Sequence, residues 1–167
     1  MRDRIEKSGR RRSRRSKGPA VLLATWFGAG YLPRFPGTWG SLAALPFAWA
    51  ISFYGGRPAL AVAIGIVFAI GLWSSGVYIR GGDDQDPAPV VIDEVAGQWL
   101  ALIPAPLDPM FYLLGFVLFR LFDIFKPWPV SWAERSFPGA AGIMLDDVAA
   151  GIYAGIILGI AVFWMGG

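Results

Sequence analysis

The amino-acid sequence predicts an all-α fold, a multi-pass helical membrane bundle of about four to five helices with its polar site at the cytoplasmic end. Two observations carry this reading. Of the 167 residues 55% are hydrophobic and only 16% charged, with a mean hydropathy of +0.50, whereas about a quarter of an ordinary soluble domain is charged. The charge present is also lopsided: residues 1–17 carry nine Lys and Arg against Asp3 and Glu6, and the rest of the chain carries six against ten acids.

Residues 1–17 read as a basic disordered tail and residues 18–167 as one membrane-embedded domain. The run Arg10-Arg11-Arg12-Ser13-Arg14-Arg15-Ser16-Lys17 has the charge to bind RNA, yet beside so apolar a chain its role is to hold the N-terminus in the cytoplasm against anionic lipid. No nucleic-acid partner is expected. A convincing small-residue cleavage site does not follow Ala20-Val21-Leu22-Leu23-Ala24, so the tail is read as retained.

Residues 18–31 are apolar but short. The loop Leu32-Pro33-Arg34-Phe35-Pro36-Gly37-Thr38-Trp39-Gly40 feeds a helix from about Ser41 to Tyr54, which Thr38 or Ser41 can cap, and free N–H groups at such a helix start suit a phosphate. The turn Gly55-Gly56-Arg57-Pro58 precedes a helix over 58–79, long enough to cross a bilayer. An acidic loop follows, Asp83-Asp84-Gln85-Asp86. Asp93 and Glu94 open a helix that ends near Ile103, and residues 104–109 form a short turn. The next helix, Met110 to Phe125, carries Arg120 and Asp123 at i and i+3, with Lys126 continuing the row before Pro127 stops it. Residues 127–141 read as a connection, and Gly142-Ile143-Met144-Leu145-Asp146-Asp147 leads into a last helix over 148–165. There Gly151, Gly155 and Gly159 make one face flat enough for close packing in lipid. That face is read as structural.

With the N-terminus inside and the segments alternating, Arg34, Arg80, Lys126 and Arg135 join the tail on the cytoplasmic side, and Arg57 alone lies opposite. The same topology sends nine of the ten acids beyond the tail to the cytoplasmic side, leaving only Asp108 on the far one. Ionisable groups at the rim of a membrane segment cost about 2.5 to 3.5 kcal/mol each on insertion scales, which makes them functional candidates.

The chain has no cysteine and no histidine. Thiolate chemistry, phosphohistidine and His-bound zinc are thereby excluded, and carboxylates remain as the bases and metal ligands. Carboxylates gathered at one mouth repel unless a cation lies between them, and a hard ion such as Mg²⁺ suits them. Arg120 and Lys126 can then bind phosphate oxygens, with a metal-bound water as nucleophile and a neighbouring carboxylate as base.

Pro36-Gly37-Thr38 with Ser41, Asp86 seven residues before Asp93-Glu94, Phe119-Arg120 with Asp123 and Lys126-Pro127, and Gly142-Ile143-Met144-Leu145-Asp146-Asp147 together resemble the phosphatidylglycerophosphatase A family, in order, over roughly residues 20 to 165. The resemblance implies a multi-pass enzyme of the bacterial inner membrane with its N-terminus and active site cytoplasmic. It would act in phosphatidylglycerol biosynthesis as a Mg²⁺-dependent lipid phosphatase, converting phosphatidylglycerophosphate to phosphatidylglycerol. Carried onto this chain, the family's acidic positions fall on Asp86, Asp93, Glu94, Asp123, Asp146 and Asp147, and its phosphate-facing candidates on Arg120, Lys126, Thr38 and Ser41. Our assignment within that set makes Asp123, Asp146, Asp147, Arg120 and Lys126 catalytic, and Asp86, Asp93, Glu94, Asp123 and Asp147 metal ligands. The tail is longer than the family needs, and Ala140 stands where a second glycine would follow Gly139. A small cation transporter or channel is the alternative, but it calls for acids at mid-bilayer and on the exit side. The Asp-Gly and Ala-Arg series of a CDP-alcohol phosphotransferase is not found.

Overall fold

The computed structural model describes residues 18–80, 84, 86–128 and 130–165, with backbone alone at 133–135. The basic tail and part of the acidic loop lie outside the described residues. Among those described there are six α-helices and no strand: α1 Pro19–Ala24, α2 Pro36–Arg80, α3 Ile92–Ala101, α4 Pro109–Phe125, α5 Val130–Ser136 and α6 Ala140–Met165.

α2 and α6 are the two helices long and apolar enough to cross a membrane, and little of either is covered by protein, 28% of the most apolar window in each. A soluble core helix of that hydropathy would be buried. Here the outer surface holds Tyr54, Phe163 and Trp164, at 86%, 80% and 80% exposure, so the exterior of the bundle is made for lipid rather than water.

α2 is two limbs in one. Gly56 adopts φ 65°, ψ −170°, which no other residue type tolerates well, and Pro58 restarts the helix beyond it. The limbs, residues 36–55 and 57–80, run in opposite directions, since Gly40 meets Val91 and Ala44 meets Trp99 in the same sense as α3. Contacts give the directions of the rest. Gly97 of α3 meets Asp147 of α6, Gly151 meets Gly97, Gly155 meets Leu100 and Ala101, and Gly159 meets Pro104, so α3 and α6 run parallel. Gly115 of α4 faces Leu102 and Leu158, and Gly97 touches Phe119, so α4 runs against both. Gly71 meets Met144 and Gly76 lies near Ala140, so the second limb of α2 also runs against α6. Three helix starts, those of α2, α3 and α6, therefore gather at one end with the last turn of α4.

The core between these helices is built from small and β-branched residues, among them Ala44, Ala48, Val91, Ile92 and Val95. Trp99 Nε1 donates to the Ala44 carbonyl at 2.9 Å and ties α3 to the first limb. α1 is pinned over the start of α3 by Val91 N donating to the Ala24 carbonyl at 2.9 Å. Asp108 caps α4, its Oδ1 accepting from Met110 N at 2.8 Å.

Three local expectations change. α2 starts at Pro36, not Ser41, because Pro36 takes the first helical position and the Phe35 carbonyl accepts from Thr38 N at 3.0 Å. Thr38 and Ser41 thus lie inside the helix and cap nothing. α6 begins at Ala140, directly after Gly139 at φ 65°, so Asp146 and Asp147 fall in its second turn rather than ahead of it. The connection after Pro127 contains the short helix α5.

Candidate active site

The site is built where α3 and α6 touch. Gly97 and Gly151 bring two helix backbones into contact, since a Cβ on Gly151 would collide with the Gly97 carbonyl. Each helix carries an acid one turn before its contact glycine, Asp93 at four residues before Gly97 and Asp147 at four residues before Gly151. Because the helices are parallel, that turn projects both acids to the same place. With Glu94 they form a group whose oxygens lie within 4.8 Å of one another.

Asp93 and Asp147 are 8% and 3% exposed. Asp93 Oδ1, Glu94 Oε2 and Asp147 Oδ2 are buried without a hydrogen-bond partner. Burial pushes the Glu94 carboxyl up to about 7, with Asp123 adding to the rise and Asp93 and Arg120 opposing it. Burial, then Glu94 and Asp146, raises Asp93 well above the usual carboxylate range. Orphaned buried oxygens of this kind are costly alone. The three carboxylates, each with an oxygen in this group, make a donor set that fits a hard divalent cation, with open positions for water or phosphate.

Beside this group stand the cations. Arg120 pairs with Asp123, both side chains largely buried, and its Nη1 lies 3.4 Å from Ser41 Oγ. Ser41 Oγ donates to the Gly37 carbonyl at 2.8 Å. A Cβ on Gly37 would strike Glu94 Oε1, so the first turn of α2 rests directly on the carboxylates. Lys126 ends α4 in the left-handed region, φ 43°, and its Nζ lies 2.8 Å from Asp146 Oδ2. That backbone is uncommon for a residue with a Cβ and turns the ammonium toward α6.

Of the residues singled out in the sequence, Asp93, Glu94 and Asp147 form the cage; Asp123 and Arg120, and Asp146 and Lys126, form two ion pairs around it. Ser41 is buried against Arg120, while Thr38 is half-buried one turn earlier on α2. Asp86 is exposed in the loop before α3, its N–H donating to Asp84 Oδ1, and does not join the three-carboxylate group. Sequence reasoning passed over Gly97 and gave Gly151 no part in the site, though these glycines set where Asp93 and Asp147 meet. It also passed over Gln98, fully buried with both amide atoms unpartnered one turn beyond Glu94. A lone amide in an apolar helix four residues after an acid was the available signal.

A helical membrane protein with a buried carboxylate cage flanked by paired cations, at the meeting of three helix starts, defines the class. The family model described as Phosphatidylglycerophosphatase A matches residues 22–162, and the chain belongs to that family. It is 40% identical over 149 residues to phosphatidylglycerophosphatase A of Escherichia coli K12, covering 87% of this chain and 86% of that protein. It is 34% identical over 148 residues to the protein of that name from Haemophilus influenzae Rd, covering 88% and 91%. A Bacteroides thetaiotaomicron protein named as a candidate phosphatidylinositol-3-phosphatase is 37% identical over 148 residues, covering 84% and 92%. No solved structure matches the chain.

Proposed function

We propose that this chain is a phosphatidylglycerophosphate phosphatase, a phosphoric monoester hydrolase of phosphatidylglycerol biosynthesis. Family membership across residues 22–162 is the observation that carries the reading. The membrane is the bacterial inner membrane, with the N-terminus and the site on the cytoplasmic side.

Asp93, Glu94 and Asp147 would hold Mg²⁺, which when bound supplies charge to the phosphate oxygens and acidity to a water. Asp123 supports this set through its proximity to Glu94, and Asp86, outside the three-carboxylate group in the structure, would have to move in from the loop to add a ligand. The lipid phosphate enters at the gathered helix starts, whose free N–H groups favour an anion. Arg120 grips its oxygens with the guanidinium fork, and Thr38 and Ser41 face it from the first two turns of α2. Lys126 adds a second cation. Water attacks phosphorus, the ester P–O bond breaks, and Asp146 takes a proton of the attacking water and passes it to the departing oxygen, so that the primary hydroxyl of phosphatidylglycerol leaves protonated and inorganic phosphate remains. No observation favours ion transport: among the described residues, Asp108 is the acid at the other end of the bundle.

Phosphate release by the detergent-purified protein tests this, with phosphatidylglycerophosphate, phosphatidylinositol 3-phosphate and a water-soluble monoester each assayed with and without Mg²⁺. The expected result is Mg²⁺-dependent release from phosphatidylglycerophosphate, reduced more than about a hundredfold by Asp147→Asn. Activity confined to phosphatidylinositol 3-phosphate would move the substrate; release from none of them by folded protein would end the reading.

A further inference from the structure

The substrate proposed above is an amphiphile, and a site buried in a bundle needs a path for its chains. On α4, Tyr112, Phe116 and Arg120 recur at four-residue spacing and share one row. That row faces the first limb of α2. Tyr112 packs edge-to-face on Trp49 with ring centroids 4.8 Å apart, and Arg120 meets Ser41 two turns further along. The seam between these two contacts is about 12 Å long. It runs from the buried Tyr112, in the first turn of α4, up to a guanidinium.

The outer lip of the seam is apolar and open. Leu42 shares the helix face of Trp49, seven residues on, and is 43% exposed; Val117 and Leu121 on α4 are each 44% exposed. Val117 precedes Arg120 by three residues, and exposed Ile124 follows it by four, so the guanidinium borders the lipid-facing row of its own helix. Arg120 is itself largely buried. An exposed apolar strip that ends beside a cation matches one kind of occupant, a chain that ends on an anion.

We infer that the seam between the first limb of α2 and α4 admits one acyl chain of an anionic phospholipid laterally from the bilayer, with Arg120 receiving the phosphate at its top. This rests on the lipid phosphatase reading, and it makes Leu42 and Val117 specificity determinants that act on lipid and not on headgroup. The substrate's chain then never leaves the bilayer, and the polar headgroup alone moves into the site.

The test adds bulk to the lip. Leu42→Trp and Val117→Trp, with Ile156→Trp on the lipid-facing side of α6 as control, are assayed in vesicles for phosphatidylglycerophosphate and in solution for its fully deacylated headgroup. Wild-type release from the lipid establishes the phosphatase reading first, independently of the variants. The lip variants are expected to raise KM for the lipid about tenfold with kcat little changed, to leave the deacylated substrate unaffected, and to differ from Ile156→Trp. Unaltered lipid KM in both lip variants overturns the seam, as does an equal loss on the deacylated substrate. Should a Trp variant fail to insert, Leu42→Phe repeats the test with less bulk.

Discussion

Glu94 is where single-residue physics is most exposed. Burial pushes its carboxyl up to about 7 in the fold, from an ordinary value of 4.5. Between those two values the folded protein holds a proton that the unfolded chain has released, so this contribution to stability is full below 4.5 and lost as pH rises through 7. Asp93 pushes in the same direction. Thermal unfolding without divalent ions is therefore expected to show a midpoint that falls from pH 4.5 to above pH 7. Mg²⁺ is expected to restore more of it at pH 8 than at pH 5, because the ion requires the deprotonated carboxylates. A midpoint indifferent to both pH and Mg²⁺ would count against a carboxylate cage.

Among the helices, the parallel contact of α3 with α6 decides where the acids meet. Gly151 presses on the Gly97 backbone, and backbone cannot step aside as a flexible side chain can, whereas a Cβ on Gly155 would stand 3.3 Å from the Leu100 carbonyl. Gly151→Leu forces the helices apart, an overpacking cost of about 1–3 kcal/mol or more, and pulls Asp147 away from Asp93. Activity is expected to fall at least about a hundredfold in protein that still inserts, while Gly155→Ala retains most of it. Equal activity in the two variants would show that the crossing does not set the site.

For the molecule as a whole, the site end and the end bearing Arg57 lie on opposite sides of the bundle. Arg57 Nη2 donates to the Pro104 carbonyl at 2.9 Å, at the exit of α3, while Arg34 leads into the start of α2. In the orientation proposed above, the positive-inside bias would turn the site toward the cytoplasm. A chain without cysteine allows a clean measurement. Tyr54→Cys is expected to react with a membrane-impermeant thiol reagent in intact spheroplasts, and Asp84→Cys only after permeabilisation. The reverse pattern would invert the topology.

The helical membrane class was legible in the sequence because it depends on composition and on stretches of apolar residues, which are additive along a chain. So was the Arg120–Asp123 pair, since i and i+3 on a helix are neighbours whatever surrounds them. The acids themselves could be named, because charges in an apolar chain stand out and neither His nor Cys competes for their roles. Tertiary structure alone decided which of them meet. Asp93 and Asp147 are fifty-four residues apart, and their meeting depends on a glycine contact whose partner lies on another helix and so leaves no local mark. It also separated Asp86 from the three-carboxylate group, started α2 at Pro36 and α6 at Ala140, and bounded the seam beside Arg120. Each of these is a relation between elements, fixed by how closely two backbones approach, and that distance is written in no single stretch of chain.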